Sequence, residues 1–155
     1  MDLTSLYTDI VFEHDKRPLH AGLREPYEAE VHHVNPTCGD EITLRVHLAG
    51  DPEDPRIEDV SYDATGCAMS RASASTMSDL VIGRTLREIE PVSEHMDAVM
   101  HSRGREEGDE DLLGDAVALV GASKFPNRVK CVLMSWKALH AAVIEAGGPL
   151  EGARA

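Results

Sequence analysis

The apolar positions follow a helical pattern at the start of the chain and an alternating pattern soon after it. Residues 3–14 repeat apolar side chains at the three- and four-residue spacing of an amphipathic helix. Three strand-like segments come next, separated by turn residues: residues 27–34, 41–49 and 56–64. A change of alternation between Ile57 and Val60 predicts a β-bulge in the third segment. Because the connections between the segments are short, we expect an antiparallel meander.

The rest of the chain favours helices. They are predicted at residues 67–82, at residues 93–101 with Ser93 as the N-cap, and at residues 127–146. Between them, residues 103–111 predict a loop, and residues 112–122 are apolar enough to pack. This order predicts an α+β fold, a small three-stranded antiparallel sheet with helices packed on one face. The length of 155 residues favours one domain, which we place at residues 1–148, with a disordered tail at residues 149–155.

Charge narrows the choice of partners. The chain has 15 Lys and Arg against 28 Asp and Glu, a formal charge of −13. Nucleic acid and anionic membranes would repel such a protein, so a protein or a metal is the better partner. No apolar run approaches the roughly 20 residues of a membrane span. The first 16 residues lack the apolar core of a signal peptide, and we therefore expect a cytoplasmic protein.

Three cysteines lie at the ends of predicted elements, where chemistry is more common than core packing. Cys38 follows Pro36 at a predicted hairpin tip, two residues before Asp40. Cys67 follows Gly66 at a strand-to-helix junction, where a helix N-terminus lowers the pKa of a thiol. An odd number of cysteines in a cytoplasmic chain makes a poor disulfide framework. Each cysteine alone is also compatible with a structural thiol.

The third cysteine, Cys131, lies near the start of the last helix. Lys124, Arg128 and Lys130 are close to it in sequence, and basic charge beside a thiol favours the thiolate. Three thiolates and the Asp40 carboxylate form a donor set suited to tetrahedral zinc, and the nearby cations would offset its negative charge. The histidines, by contrast, show no His-Glu-x-x-His or comparable pairing. The sequence therefore predicts one shared zinc site.

These residues lie within longer motifs that resemble a known family. The matching pieces are residues 6–7 (LY), 35–40 (NPTCGD), 66–68 (GCA), 72–75 (ASAS), 125–131 (FPNRVKC) and 136–139 (WKAL). From about residue 3 to residue 147, the chain resembles the SufU branch of the IscU-like iron–sulfur cluster assembly family. Lys130 stands where IscU-type scaffolds carry a histidine, and the long stretch between the second and third cysteines also favours the SufU branch. The family fold is α+β.

Two segments depart from the family pattern. Many relatives are more apolar after the second cysteine, where residues 69–71 here end in Arg71. Residues 13–18 of the first helix match the family pattern only loosely. From the sequence, Arg71 either borders the site or faces solvent.

The resemblance implies a zinc-dependent sulfurtransferase. It implies one zinc per chain, held by Cys38, Asp40, Cys67 and Cys131. It also implies that a pyridoxal-phosphate cysteine desulfurase of the SufS type docks, that a partner histidine takes a zinc position, and that the freed Cys38 accepts persulfide sulfur. A SufBCD-type assembly complex is a further implied partner, and we expect a monomer. Arg128 is a candidate electrostatic helper of this reaction, or a surface arginine at a helix start.

Two other functions remain open at this level. The same four ligands could hold a [2Fe–2S] cluster during its assembly, because thiolates suit iron as well as zinc. They could also form a structural zinc module in a binding protein, since a fully ligated zinc is the usual structural form. A zinc hydrolase fits less well, because four protein ligands leave no position for the reacting water.

Overall fold

A computed structural model describes residues 3–147 of the chain, with a three-stranded sheet and helices before and after it. The helices are α1 (Leu3–Lys16), α2 (Ala68–Val81), α3 (Leu86–Met100), α4 (Glu110–Leu113) and α5 (Pro126–Glu145), and a 3-10 helix spans Gly114–Lys124. The strands are β1 (Ala29–Asn35), β2 (Asp40–Ala49) and β3 (Arg56–Thr65). The α+β class predicted from the sequence is confirmed. Residues 149–155, predicted as a disordered tail, lie outside the described part.

The sheet is an antiparallel meander with β2 in the centre, in the order β1-β2-β3. Alternate residues of β2 point into the core, and Ile42, Leu44 and Val46 are fully buried. The predicted bulge is present: His47 pairs with Asp59 and the next residue, Leu48, pairs with Ile57. At the other end, Asn35 pairs with Asp40, so a four-residue loop closes the β1–β2 hairpin.

Helices α2 and α5 pack against each other and against the sheet. The small side chains of α2 bring them close, because a serine or alanine occupies little space between two helix axes. Ser73 is fully buried, and its hydroxyl donates to the carbonyl of Val132 and lies 2.8 Å from the Ser135 hydroxyl. Buried hydroxyl groups therefore obtain hydrogen-bond partners across the interface. This packing holds the N-termini of α2 and α5 next to the β1–β2 hairpin.

Helix α3 begins earlier than its sequence predicts. We expected a helix at 93–101 capped by Ser93, but α3 begins at Leu86. Thr85 and Glu88 form a capping box, in which each side chain accepts a hydrogen bond from the other residue's main-chain N–H. Pro91 lies inside the helix, although proline is disfavoured in helix interiors. It lies so near the N-terminus that the carbonyl it leaves without a partner belongs to the exposed first turn, where water can satisfy it.

In the described residues, no helix combines the length and apolar composition needed to cross a membrane.

Candidate metal centre

The β1–β2 loop is held in place by Asn35, which is 6% exposed. Its main-chain carbonyl accepts hydrogen bonds from the N–H groups of Cys38 and Gly39, at 3.2 and 2.8 Å. Its side-chain oxygen accepts from the N–H of Thr37 at 3.2 Å. Gly39 has a φ of +73°, a conformation that favours glycine. The loop therefore presents the exposed thiol of Cys38 from a well-bonded turn.

Asp40 is the first residue of β2 and only 1% of it is exposed. One carboxylate oxygen, Oδ1, accepts a hydrogen bond from the main-chain N–H of Cys67 at 3.0 Å. The other, Oδ2, lies 3.9 Å from the Cys67 sulfur. The hydrogen bond from the Cys67 main chain thus occupies one oxygen of this buried carboxylate, and the other oxygen is left facing the thiols.

Gly66 makes room for that carboxylate. Its φ is +138°, and a Cβ at this position would lie 2.0 Å from Oδ1 of Asp40 and 2.7 Å from Cγ. Real side chains do not approach so closely, so only glycine fits between β3 and α2 while Asp40 keeps its place. The following residue, Cys67, is the N-cap of α2, as the strand-to-helix junction predicted.

Cys131 brings the third thiol from the other side. It lies in the second turn of α5, it is 3% exposed, and its sulfur is 3.7 Å from the sulfur of Cys38. The side-chain amide of Asn35 lies 3.8 Å from the same sulfur. Residues 93 positions apart in sequence therefore meet at one point.

The protonation of Cys131 differs from the sequence-based expectation. Basic neighbours were expected to favour its thiolate, but burial raises the pKa of Cys131, and Asp40, Cys38 and Cys67 raise it further. The reason is that Lys124, Arg128 and Lys130 are exposed to solvent while the thiol is buried among acceptors. The surroundings of Cys131 therefore favour its neutral thiol over the thiolate.

The donor atoms converge closely enough for one ion. Those of Cys38, Asp40 and Cys131 all lie within 4.8 Å of one another. The fourth predicted ligand, Cys67, adjoins this group through Asp40 without belonging to it. Thiolate sulfur with a carboxylate oxygen is a donor set that zinc accepts, so the residues present fit a zinc ion.

The Arg128 side chain lies against an aromatic ring and makes no hydrogen bond to the three thiols. Its guanidinium lies 4.6 Å from the centroid of the Phe125 ring, and the side chain is exposed. Together with Lys124 it borders an open groove of about 880 Å³ between α1, α2, the 3-10 helix and α5. All three cysteines line this groove, whose walls are otherwise largely apolar. Arg128 is therefore placed at the approach to the site.

A second arginine, Arg71, is hydrogen-bonded to the main chain beside the site. The sequence alone did not decide whether it borders the site or faces solvent. Arg71 donates from Nε to Asp15 on α1 and from Nη1 to the main-chain carbonyl of Gly66. The hydrogen bond that Arg71 donates to Asp15 is the main cause that raises the pKa of Arg71, with smaller contributions from the charges of Cys67 and Asp40. The two segments that depart from the family pattern thus meet in one ion pair. An ion pair across 56 positions leaves no spacing signal in a single sequence.

Comparisons with known proteins agree with this arrangement. The family model described as the NifU-like N terminal domain matches residues 6–132. The chain is 37% identical to the zinc-dependent sulfurtransferase SufU of Bacillus subtilis, over 95% of each chain. It is 38% identical to the iron–sulfur cluster assembly scaffold protein IscU of Streptococcus pyogenes, over 91% of this chain and 84% of that protein.

Solved structures show the same fold. A protein from Fervidobacterium islandicum, described as a candidate iron–sulfur cluster assembly scaffold for the SUF system, superimposes with a TM-score of 0.77 at 30% identity. The alignment covers 92% of this chain and 99% of that one. The N-terminal part of a NifU-like protein from Brucella abortus, 18% identical, shares the fold with a TM-score of 0.78 over 94% of this chain and 96% of that one. The chain therefore belongs to the NifU-like N-terminal domain family, and its IscU and SufU relatives confirm the resemblance found in its sequence.

Proposed function

We propose that this protein is a zinc-dependent sulfur acceptor that takes persulfide sulfur on Cys38 for iron–sulfur cluster assembly. The observation that carries the proposal is the meeting of Cys38, Asp40 and Cys131 donor atoms within 4.8 Å. Cys67 completes the proposed ligand set. When bound, zinc keeps the thiols of its ligands deprotonated. The identity to a zinc-dependent sulfurtransferase over 95% of both chains supports this choice of metal.

The three thiols differ in what holds them. Cys131 is buried within α5, and Cys67, although exposed, is the N-cap of α2 and so is attached directly to a helix. Cys38 is exposed on a four-residue loop and lines the groove that opens to solvent. A thiol on a loop can leave a ligand set with less disturbance of the fold than one on a helix. Cys38 is therefore the acceptor we propose.

The transfer itself needs no added oxidant or reductant. The Cys38 thiolate attacks the outer sulfur of a persulfide on the donor enzyme, a pyridoxal-phosphate cysteine desulfurase of the SufS type. A new sulfur–sulfur bond forms on Cys38, the donor's sulfur–sulfur bond breaks, and the donor cysteine leaves as a thiolate. A partner histidine that replaces Cys38 as a ligand would free it for this attack. Sulfur then passes onward, to a SufBCD-type complex in this proposal.

The groove offers a path by which the persulfide-bearing segment of the donor enzyme would reach Cys38. Its mouth carries exposed Phe12 and Phe125, and its basic residues Lys124 and Arg128 stand out in a chain with a charge of −13. We propose that Arg128 stabilises the anionic sulfur during transfer, or pairs with Asp40 when Cys38 leaves. In both roles the guanidinium would leave its position against the Phe125 ring.

The test combines metal analysis with mapping of the added sulfur. Freshly purified protein is expected to contain one zinc per chain and no labile sulfide. After incubation with a cysteine desulfurase and free cysteine, mass spectrometry of the digest should show one added sulfur on the Cys38 peptide. Cys38→Ser should lose this sulfur while keeping part of its zinc, and Thr37→Ser, which alters the same exposed loop but no thiol, should behave as wild type.

Each other outcome identifies a different function. Iron together with labile sulfide would indicate the [2Fe–2S] scaffold, a function that the IscU relative supports. Zinc with no sulfur uptake would indicate a structural zinc module. Sulfur on Cys67 or Cys131 would show that the loop position of Cys38 does not determine the acceptor.

A further inference from the structure

The peptide unit between Gly66 and Cys67 is held at both of its polar ends. Its carbonyl accepts a hydrogen bond from Nη1 of Arg71, and its N–H donates to Oδ1 of Asp40 at 3.0 Å. Rotating this peptide would break both bonds at once. Gly66 has no side chain to resist such a rotation, so the bonds themselves must hold it.

This peptide orients two of the proposed ligands. It sets the direction in which the Cys67 side chain leaves the N-cap of α2. It also engages Oδ1 of Asp40 and so leaves Oδ2 facing the Cys67 sulfur at 3.9 Å. A group that fixes the peptide therefore fixes the Cys67 and Asp40 half of the site.

Arg71 is also bonded to the N-terminal helix. Its Nε donates to Asp15 on α1, and the two side chains are 39% and 22% exposed. One residue away, buried His14 lies 2.7 Å from the Ser75 hydroxyl and so joins α1 to α2. A cation in the first turn of α2 opposes the helix dipole, so its two acceptors must compensate for an unfavourable position.

We infer that Arg71 is a positioning residue, which fixes the Gly66–Cys67 peptide through its bond to the Gly66 carbonyl and couples α1 to the metal site through Asp15. The inference rests on the proposed zinc site for its effect on metal binding. The geometry of the peptide does not depend on a metal. Because the guanidinium fork bonds in two directions at once, lysine cannot replace it with one ammonium in the same place. The position of α1 and the orientation of the Gly66–Cys67 peptide are therefore linked through one side chain.

The experiment uses the full chain with Arg71→Met, Arg71→Lys and Asp15→Asn, and Arg17→Met as the matched control. Arg17, which directly follows α1, also pairs with a carboxylate on that helix, but its side chain is 71% exposed and its partner Glu13 lies only four positions earlier. Amide hydrogen exchange, followed by NMR in metal-free protein, reports whether the Cys67 N–H is held. Competition with a chelator reports zinc affinity, and exchange of the α1 amides with and without zinc reports the coupling.

Arg71→Met should speed exchange of the Cys67 amide and weaken zinc about tenfold, the lower range for losing a group that orients a ligand. Arg71→Lys should recover only part of both. Asp15→Asn should abolish the zinc-dependent protection of α1 with a smaller effect on the Cys67 amide, and Arg17→Met should change neither. Arg71→Met with wild-type amide exchange would overturn the inference. If wild-type protein binds no zinc, the proposed function fails, and the metal-free exchange still decides the role of Arg71.

Discussion

Gly66→Ala tests the close approach that shapes the site. The added Cβ would lie 2.0 Å from Oδ1 of Asp40, at a φ of +138°. Either the carboxylate moves and gives up the N–H of Cys67, or the backbone turns away. We expect a loss of about 2.5–6 kcal/mol, combining about 1–3 kcal/mol for the strained backbone with about 1.5–3 kcal/mol for the bond to a charged group.

The assay is urea unfolding of metal-free protein, followed by circular dichroism, with zinc content measured separately. Gly39→Ala is the matched control, because Gly39 also has a positive φ (+73°) but no atom lies within 4 Å of its added Cβ. That variant should lose about 1–2 kcal/mol from the backbone conformation alone. The difference between the two variants measures the collision with Asp40.

A double variant separates strain from collision. Asp40→Ala in the Gly66→Ala background removes the two nearest atoms, and the Cβ of residue 40 then lies 2.9 Å from the added Cβ. The double variant should therefore be more stable than the sum of the single losses predicts. If Gly66→Ala is no less stable than Gly39→Ala and binds full zinc, the close approach of Gly66 to Asp40 does not constrain the site.

Two further predictions concern the core and the groove. Burial raises the pKa of Tyr62 to about 12 from its ordinary 10.0. The folded protein therefore holds the phenol proton more tightly than the unfolded chain does. The resulting stability is complete below pH 10 and is lost as the pH rises toward 12. Tyr62→Phe should remove this loss of stability at high pH. At neutral pH the variant should be about 1 kcal/mol less stable, because the hydrogen bond to the Leu19 carbonyl is missing. Parallel urea-stability curves for the two proteins from pH 10 to 12 would contradict this prediction. Arg128→Ala should slow sulfur uptake by Cys38 about tenfold, the effect of losing a contact worth about 1.5 kcal/mol. The control Arg105→Ala, in an exposed loop, should leave the rate unchanged. If Arg128→Ala keeps full zinc and the full rate, Arg128 is a surface residue with no role in the transfer.

Local patterns determined most of the elements. The three strands, the bulge in β3 and the first helix follow from side-chain periodicity, because one face of each element is buried. The hairpin position of Cys38 and the N-cap position of Cys67 follow from flanking proline and glycine. The predicted start of α3 was wrong because Ser93 was chosen as the N-cap, although the capping box of Thr85 and Glu88 is also a local signal.

The sequence by itself determined which residues could form the site: three thiols and a carboxylate at the ends of elements. Only the tertiary structure decided how they meet and what surrounds them. Burial of Cys131 outweighs its basic neighbours in sequence, because the cations extend into water while the thiol does not. The bonds of Arg71 to Asp15 and Gly66 depend on the seating of α1 against α2. Desolvation and long-range pairing arise only when distant segments pack together, so periodicity and spacing carry no signal of them.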